Sequence, residues 1–340
     1  MLESHIFLKK KRTGEVKGRA VAGGNKQRGY IDKEDASSPT VAIESVILTS
    51  IVDALEERDV AIVDIPNAFI QTVVKEKSKR VIIRIRGMLV DMLLKIAPEV
   101  YQSYVTIDKK GNKQLLVECL NALYGTMMAS LLFYQKFTNS LKEKGFVMNP
   151  YDACVWNKQI NGKQCTICFH VDDGKISHSS SKVVDEVIEW LRRDYESIFE
   201  DGSGKMKVCR GKKHKYLGMI LDFSISRQVR ISMVDYVNEI IDAWDKAPKL
   251  SDNGFKLVES KRAKRAKTCA APEDLFKVDK DATKLDTEQS TAFHNIVAKA
   301  LYMVKRARPD GSVLIVFLTT RVRAPDVDDY RKLGHFIEYL

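Results

Sequence analysis

The sequence predicts an α+β fold in which antiparallel strands are followed by a helical C-terminal region. The first observation is the stretch 165–178, where an apolar run leads to two adjacent carboxylates, Asp172 and Asp173, and then to Gly174 and a second strand pattern. Strand, acidic turn and strand predict a β-hairpin with Asp-Asp-Gly at or near its tip, because Asp and Gly tolerate the backbone angles of a tight turn. The second observation is the helical spacing of apolar residues in the segments after Thr287.

Periodicity and turn residues place further elements along the chain. A strand hairpin is predicted over 6–22, and single strands over 60–63, 80–86, 115–120, 215–222 and 229–233. Helices are predicted over 40–57, 67–72, 88–95, about 130–144, 182–199, 234–244, 287–306, 312–323 and 326–340. The segment 205–215 is basic and shows no apolar period.

A second buried strand pattern also ends in a carboxylate, because Val60–Val63 leads directly to Asp64. A solvated acidic turn is the simpler interpretation of most Asp-Asp pairs, but two like charges repel unless a cation lies beside them. Two strands that bring Asp to one sheet edge supply oxygen ligands of the kind that two Mg²⁺ ions take. Phe69 follows Asp64 by five positions, and it is interpreted either as core or as a wall facing what Asp64 binds.

Composition restricts the class of protein. The 340 residues carry a formal charge of +11, which favours a polyanionic partner, although a basic surface also serves solubility. No apolar run approaches membrane-spanning length, so no membrane partner is expected. Cys165 and Cys168 have C-x-x-C spacing, but no second pair completes a zinc site, and buried reduced thiols are the favoured interpretation.

Cations are concentrated in the predicted N-terminal hairpin, which includes Lys9, Lys10 and Arg19. They are interpreted either as a solvated edge protected by lysines or as a flap that grips phosphates. In the second case the guanidinium of Arg19 could form a bidentate pair with a phosphate. Gly125, in front of a predicted helix, permits a close backbone approach.

Several short motifs occur in one order along the chain. They are Lys17-Gly-Arg19 with 23–27, Val63-Asp-Ile-Pro-Asn-Ala-Phe69, Leu123-Tyr-Gly125, Val171-Asp-Asp173 and Tyr216-Leu-Gly218, followed by 293–302, 306–310 and 330–340. Together they resemble the reverse transcriptase of copia-type long-terminal-repeat retrotransposons over essentially the whole chain, and their order is far more specific than Asp-Asp alone. The chain departs from the family pattern at His170, at Gly174 and at Met127-Met128.

The resemblance implies a right-hand polymerase of fingers, palm and thumb. Fingers are expected over 1–57, a palm over 58–233 with a fingers insertion around 75–145, and a thumb or connection region over 234–340 with a charged connector at 249–280. Asp64, Asp172 and Asp173 would be the catalytic carboxylates that bind two Mg²⁺ ions, with Mn²⁺ as the alternative metal. Nucleotide binding would fall to Phe69, Arg19, Lys9, Lys10 and Gly125, and the primer grip to Tyr216, Leu217 and Gly218.

The function implied is that of an RNA-directed DNA polymerase segment of a Pol polyprotein, without its ribonuclease H domain. Its partners would be an RNA or DNA template-primer and deoxynucleoside triphosphates. Its location would be a cytoplasmic virus-like particle or the nucleus, and its oligomeric state is open. Two alternatives stay open: a catalytically degenerate remnant that keeps a nucleic-acid-binding cleft, and another two-metal phosphotransferase or nuclease. The basic run 261–267 is either a nuclear-localisation or nucleic-acid patch or a solvated segment.

Overall fold

The computed structural model describes residues 1–10, 14, 16–197, 204–250 and 275–340. Within them the chain divides into two units, Met1–Gly211 and Lys212–Leu340. The basic run 261–267 and most of the predicted connector lie outside the described residues. None of the helices in the described ranges is both long and apolar enough to cross a membrane.

The described part of the first unit contains eleven strands and six α-helices. The strands are β1 (Leu2–Lys10), β2 (Val16–Ala22), β3 (Asp59–Asp64), β4 (Val81–Arg86), β5 (Thr106–Ile107), β6 (Lys113–Cys119), β7 (Val147–Met148), β8 (Val155–Ile160), β9 (Lys163–His170), β10 (Asp173–His178) and β11 (Lys207–Cys209). The helices are α1 (Lys33–Ala36), α2 (Ile43–Leu55), α3 (Met88–Ile96), α4 (Pro98–Tyr101), α5 (Ala129–Glu143) and α6 (Ser181–Tyr195).

These strands form two sheets. One has five strands in the order β2-β1-β4-β6-β5, with β1 and β4 parallel and the other pairs antiparallel. The other has six strands in the order β11-β3-β10-β9-β8-β7 and is antiparallel throughout. Antiparallel sheets combined with helices confirm the predicted α+β class.

An aromatic core joins helices α5 and α6 to the six-stranded sheet. The ring of Phe137 on α5 lies 4.8 Å from that of Phe169 on β9 and 5.7 Å from that of Tyr195 on α6, measured between centroids. Edge-on contacts of this kind add to the gain from burying large apolar surfaces. The sheet that carries the predicted carboxylates is therefore fixed by a packed core on one face.

A buried ion pair connects helix α2 to strand β10. The ammonium of Lys175 pairs with the carboxylate of Asp53, and their side chains are 1% and 0% exposed. The guanidinium of Arg58 lies 3.6 Å from the other oxygen of Asp53 and donates to Thr166 Oγ1 on β9 at 3.0 Å. Three elements thus meet at one buried charge cluster beside the strand that begins at Asp173.

The described part of the second unit contains three strands and four α-helices. They are β12 (Lys213–Tyr216), β13 (Met219–Asp222), β14 (Arg230–Ser232), α7 (Val234–Asp245), α8 (Thr287–Val304), α9 (Ser312–Arg321) and α10 (Val327–Tyr339). The strands form one antiparallel sheet in chain order. The ring of Tyr330 on α10 packs against Trp244 of α7 at 4.8 Å and Phe293 of α8 at 6.4 Å, so these three helices share one core.

Two predicted elements are wrong. The segment 67–72 is a series of turns and not a helix, because Asn67 takes a left-handed φ of 51° at the point where the helix would begin. The single strand predicted over 215–222 is a hairpin, because Leu217 and Gly218 take φ values of 46° and 82°. The segment 205–215 contains strand β11, which its lack of apolar alternation did not indicate.

The division between the units falls after Gly211, whereas the sequence placed a boundary after residue 233. Strands β12 to β14 pair with one another and not with the six-stranded sheet, so they belong with the helices that follow them. The assignment of fingers, palm and thumb to these units stays a prediction.

The cysteines of the C-x-x-C pair lie on strand β9 with side chains on opposite faces, because they are three residues apart. Both are fully buried thiols, and burial raises the pKa of Cys165 to about 12. A thiol held neutral in this way is a poor metal ligand. Their burial agrees with the interpretation of this pair as core cysteines.

Candidate active site

The ends of β3 and β10 bring the three predicted carboxylates to one edge of the six-stranded sheet. Asp64 is the last residue of β3 and pairs directly with Asp173, the first residue of β10. Asp172 precedes β10, and its backbone is tied to the end of β3 because the amide of Ile65 donates to its carbonyl oxygen at 2.9 Å. Each apolar run therefore delivers its acid to the same place, as the sequence pattern predicted.

The tip of the acidic hairpin lies one residue earlier than the sequence indicated. His170 pairs with Asp173, so the two-residue turn is Val171-Asp172, and Gly174 lies buried inside β10. Val171 takes a φ of 57°, which is costly for a β-branched residue, on the order of 1–3 kcal/mol. The paired strands on both sides hold this strained turn, and it places Asp172 at the tip and Asp173 on the sheet.

Two of the three acids, Asp172 and Asp173, have raised pKa values. Burial raises the pKa of Asp172 and of Asp173, and the negative charge of Asp64 raises both further. Nearby cationic groups offset this in part, since the charge of His170 lowers the pKa of both aspartates. The edge thus holds more negative charge than its own side chains neutralise.

Lys207 is a site residue that the sequence did not indicate. It pairs with Asp64 across β11 and β3, and its ammonium lies 3.5 Å from Asp64 Oδ2. With its side chain 83% exposed, this ion pair contributes at most about 1 kcal/mol and can open readily. Only the unexpected strand β11 brings Lys207 here.

The donor set suits a divalent cation of the Mg²⁺ type, which prefers carboxylate oxygens. In the ranges that the structure describes, however, no three His, Cys, Asp or Glu side chains form a group that could hold a metal ion. The three acids share a sheet edge without closing on a common point, as their mutual repulsion favours. The residues present fit such an ion by their chemistry, although they do not form a closed cage.

An aromatic pair lies beside the acids. The ring of Phe69 lies 4.8 Å from that of Tyr124, and the guanidinium of Arg19 lies 5.7 Å from the Tyr124 centroid. Burial raises the pKa of Tyr124, and the charge of Asp172 raises it further. Tyr124 therefore lies among Phe69, Arg19 and the carboxylates, and its place in the Leu-Tyr-Gly motif was the signal that could have identified it.

The ring of Phe69 also contacts the buried core. Its ring lies 6.4 Å from Phe133, which belongs to the buried core of α5. The side chain is thus half-buried between the core and Tyr124, and its role as a wall facing a bound nucleotide stays a prediction.

The close backbone approach expected at Gly125 is present, and its partner is the chain itself. Gly125 has a φ of 88°, and a Cβ there would lie 2.1 Å from the carbonyl oxygen of Ala22. A Cβ on Gly24 would lie 1.9 Å from the carbonyl oxygen of Gly125. The side chain of Gln27 closes the contact by accepting from the amide of Met127 at 3.0 Å. This packing joins β2 to the Leu-Tyr-Gly segment and accounts for both glycines.

The predicted nucleotide-binding lysines and primer-grip residues differ in their exposure. Lys10 is exposed at the end of β1, while the side chain of Lys9 lies outside the described residues. Of the three predicted primer-grip residues in the second unit, Tyr216 is 1% exposed and belongs to the core, Leu217 is half-buried and Gly218 is exposed.

The comparisons define the class of protein. Residues 3–252 match the family model for reverse transcriptase (RNA-dependent DNA polymerase). This match covers more than half of the chain, and the chain belongs to that family. The prediction of a copia-type reverse transcriptase domain is confirmed, and an unrelated nuclease or phosphotransferase is not supported.

Particular relatives are retrotransposon proteins. The chain is 24% identical over 229 residues to a putative transposon Ty5-1 protein of Saccharomyces cerevisiae, covering 67% of this chain and 66% of that protein. It is 23% identical over 231 residues to the retrovirus-related Pol polyprotein from transposon TNT 1-94 of Nicotiana tabacum, covering 67% of this chain and 15% of that protein. The chain thus matches about two thirds of the first relative and a small part of the second.

Among solved structures, this chain was matched to a telomerase from Candida tropicalis in complex with a fragment of telomeric RNA. The match covers 98% of this chain and 60% of that one at 13% identity, with a TM-score of 0.35. A score of this size supports no conclusion about the fold.

Proposed function

We propose that this chain is the RNA-directed DNA polymerase segment of a copia-type retrotransposon polyprotein. It would extend a primer along an RNA or DNA template from deoxynucleoside triphosphates. The observation that carries the proposal is the direct pairing of Asp64 with Asp173 at the sheet edge that also holds Asp172. The net charge of +11 is consistent with a nucleic-acid partner.

Asp64, Asp172 and Asp173 would hold two Mg²⁺ ions, with Mn²⁺ as the alternative. When bound, the ions would lower the pKa of the primer 3′-hydroxyl and neutralise charge on the triphosphate. Burial, and after it the charge of neighbouring carboxylates, raises the pKa of Asp172 and Asp173, and a divalent cation bound there would favour their ionised forms. The exposed ammonium of Lys207 can leave Asp64 without breaking any buried contact.

The other residues of the site would act by positioning. Phe69 and Tyr124 form a tilted aromatic pair beside the acids, and the guanidinium of Arg19 lies over the ring of Tyr124. In this arrangement Phe69 would lie against the sugar and exclude a ribose 2′-hydroxyl, while Arg19 would pair with a phosphate. Phosphoryl transfer needs chiefly such placement and charge stabilisation, so no nucleophilic side chain is required.

The test is the Asp172→Asn variant, which keeps the shape of the side chain and removes its charge. Metal-dependent primer extension should fall by about 10²-fold or more, as is usual when a group that stabilises transition-state charge is lost. Binding of the template-primer in a salt titration should be unchanged or slightly tighter, because its affinity comes from cations that contact phosphates.

Asp185→Asn is the matched control, since it removes the same charge from a side chain that is 61% exposed on α6. It should extend primers like the wild type. Equal extension by Asp172→Asn and wild type would show that the assignment of Asp172 is wrong.

The remnant is the second candidate function, in which the chain keeps the three carboxylates and binds template-primer but extends no primer. A wild-type chain that binds template-primer and extends nothing in Mg²⁺ or Mn²⁺ would establish the remnant. Extension in either metal would exclude it.

A further inference from the structure

The turn of the β12–β13 hairpin has an unusual backbone. Tyr216 pairs with Met219, so the turn consists of Leu217 and Gly218 alone. Both residues take positive φ, 46° and 82°, which is the pattern of a two-residue turn that matches strand twist. Leucine is disfavoured in this region because its Cβ crowds the following carbonyl oxygen. The turn therefore needs support from outside the hairpin.

Tyr302 on helix α8 provides that support through two separate contacts. Its hydroxyl donates to the carbonyl oxygen of Leu217 at 2.8 Å. The same hydroxyl fills the space beside Gly218, where a Cβ would lie 2.8 Å from Tyr302 Oη. A side chain at position 218 would therefore collide with the hydroxyl of Tyr302.

Tyr302 is itself held in place by its neighbours. The guanidinium of Arg306 lies 3.5 Å from the centroid of the Tyr302 ring, and its Nη1 donates to the Tyr302 carbonyl oxygen at 3.0 Å. The ring of Tyr236 on α7 lies 5.3 Å from that of Tyr302. Cation–π and aromatic contacts of this kind restrict the ring. The position of the hydroxyl, and with it the Leu217 carbonyl, is set by helices α7 and α8.

We propose that Tyr302 is a positioning residue for the primer strand, acting through the Leu217-Gly218 turn that it holds. This rests on the proposed function and on the primer-grip role that the family resemblance implies for Tyr216, Leu217 and Gly218. Without the hydroxyl, the Leu217 carbonyl loses its donor and the strained turn adopts other conformations. The primer end is then placed correctly less often, while affinity for the duplex, which depends on contacts to phosphates, is preserved.

The first experiment compares Tyr302→Phe with the wild type. In single-turnover extension from preformed enzyme–template-primer complexes, the variant should be slower by about two- to tenfold, the range expected for one hydrogen bond. Its salt-titrated affinity for the duplex should change by less than about twofold. An unchanged extension rate, or a loss of affinity that accounts for the whole effect, would overturn the proposal.

Tyr330→Phe is the matched control. Tyr330 Oη donates to the carbonyl oxygen of Pro248 at 2.8 Å, so the control also removes one tyrosine-to-carbonyl bond from the same unit. Tyr330→Phe should lower the unfolding midpoint about as much as Tyr302→Phe does, and it should leave the rate of single-turnover extension unchanged. A control that slows extension as much as Tyr302→Phe would mean that general stability explains the effect, and the positioning role would be wrong.

The second experiment is a double-mutant cycle that needs no activity. Gly218→Ala alone directs a methyl group at Tyr302 Oη, whereas in the Gly218→Ala/Tyr302→Phe double variant the nearest ring carbons lie at 3.3 and 3.5 Å. The two changes should be non-additive, with the double variant unfolding at higher denaturant than the sum of the single effects predicts. Additive effects would refute the contact. A wild type that extends no primer would refute the proposed function and the primer role with it, whereas the cycle would still decide whether Tyr302 holds the turn.

Discussion

Replacement of Lys175 by methionine should strongly destabilise the first unit, although the new side chain is apolar and of similar length. The ammonium of Lys175 pairs with Asp53 in a site where both side chains are at most 1% exposed. Asp53 Oδ1 is buried and, among the described residues, accepts no hydrogen bond. The variant would leave this carboxylate with one remaining cation, Arg58, at 3.6 Å.

The magnitude follows from burial. Removal of one partner from a buried ion pair costs about 3–5 kcal/mol, because the other charge stays buried without compensation. Since Arg58 remains close to Asp53, we expect the lower end, about 3 kcal/mol. In Asp53→Leu/Lys175→Met no carboxylate is left behind, and Arg58 keeps its contacts of 3.0 Å with Glu56 and Thr166. The double variant should therefore lie within about 1 kcal/mol of the wild type.

The assay is urea unfolding at pH 7, followed by tryptophan fluorescence. Trp156 and Trp190 belong to the first unit and Trp244 to the second, so a Trp244→Phe background reports the first unit alone. Lys182→Met is the matched control, because Lys182 is exposed on α6 and its loss should change stability by no more than about 0.5 kcal/mol. A cost of Lys175→Met below about 1 kcal/mol, or a double variant as unstable as the single one, would refute the reasoning.

Three further predictions concern the site and the second unit. Phe69→Val should reduce the preference for deoxyribonucleotides over ribonucleotides by about tenfold, measured as the ratio of incorporation rates, and an unchanged ratio in a folded variant would make Phe69 core alone. Gly174→Val should cost about 1–3 kcal/mol in urea unfolding, because a Cβ there lies 3.0 Å from Val63 Cγ2, and adding Val63→Ala should recover part of this loss. Asp310→Asn should lower the unfolding midpoint at pH 7, because the hydrogen bond from Arg308 lowers the pKa of Asp310 to about 2. The stabilisation by ionised Asp310 is present above about pH 4 and is lost as the pH falls toward about 2. The unfolding midpoints of the wild type and the variant should therefore converge in acid. Midpoints that stay apart would count against the pairing.

The acids of the site could be predicted from the sequence because each ends an apolar run, and strand ends on a common edge meet in space. Their pairing follows from strand order, since β3 lies beside β10. The turn could not be predicted with the same accuracy. Positive φ is unusual for valine, so the pattern predicted Asp-Asp-Gly only at or near the tip, and the register places Val171 and Asp172 in the turn.

Contacts between distant segments could not be predicted by local patterns. Lys175 stands in an apolar strand and Asp53 on a helix 122 positions away, and neither residue alone indicates the other. The same applies to Gly125, whose close approach was expected but whose partner, the carbonyl oxygen of Ala22, follows from the packing of β2. Strand β11 was missed because its three residues are too few to show alternation, and Lys207 was missed with it.

Gly174 is the departure from the family pattern that lies nearest to the three carboxylates in the sequence. The sequence identified it as a departure, because the resembling family carries a branched apolar residue there. In the structure Gly174 pairs with Val63 inside the sheet, and the Val63 methyl group takes up the space that a side chain at 174 would need. Glycine at 174 therefore fits beside Val63, and the register of Asp64 and Asp173 is intact. Gly174 therefore gives the remnant no support, and the choice between polymerase and remnant depends on whether the three carboxylates can draw together around a metal ion.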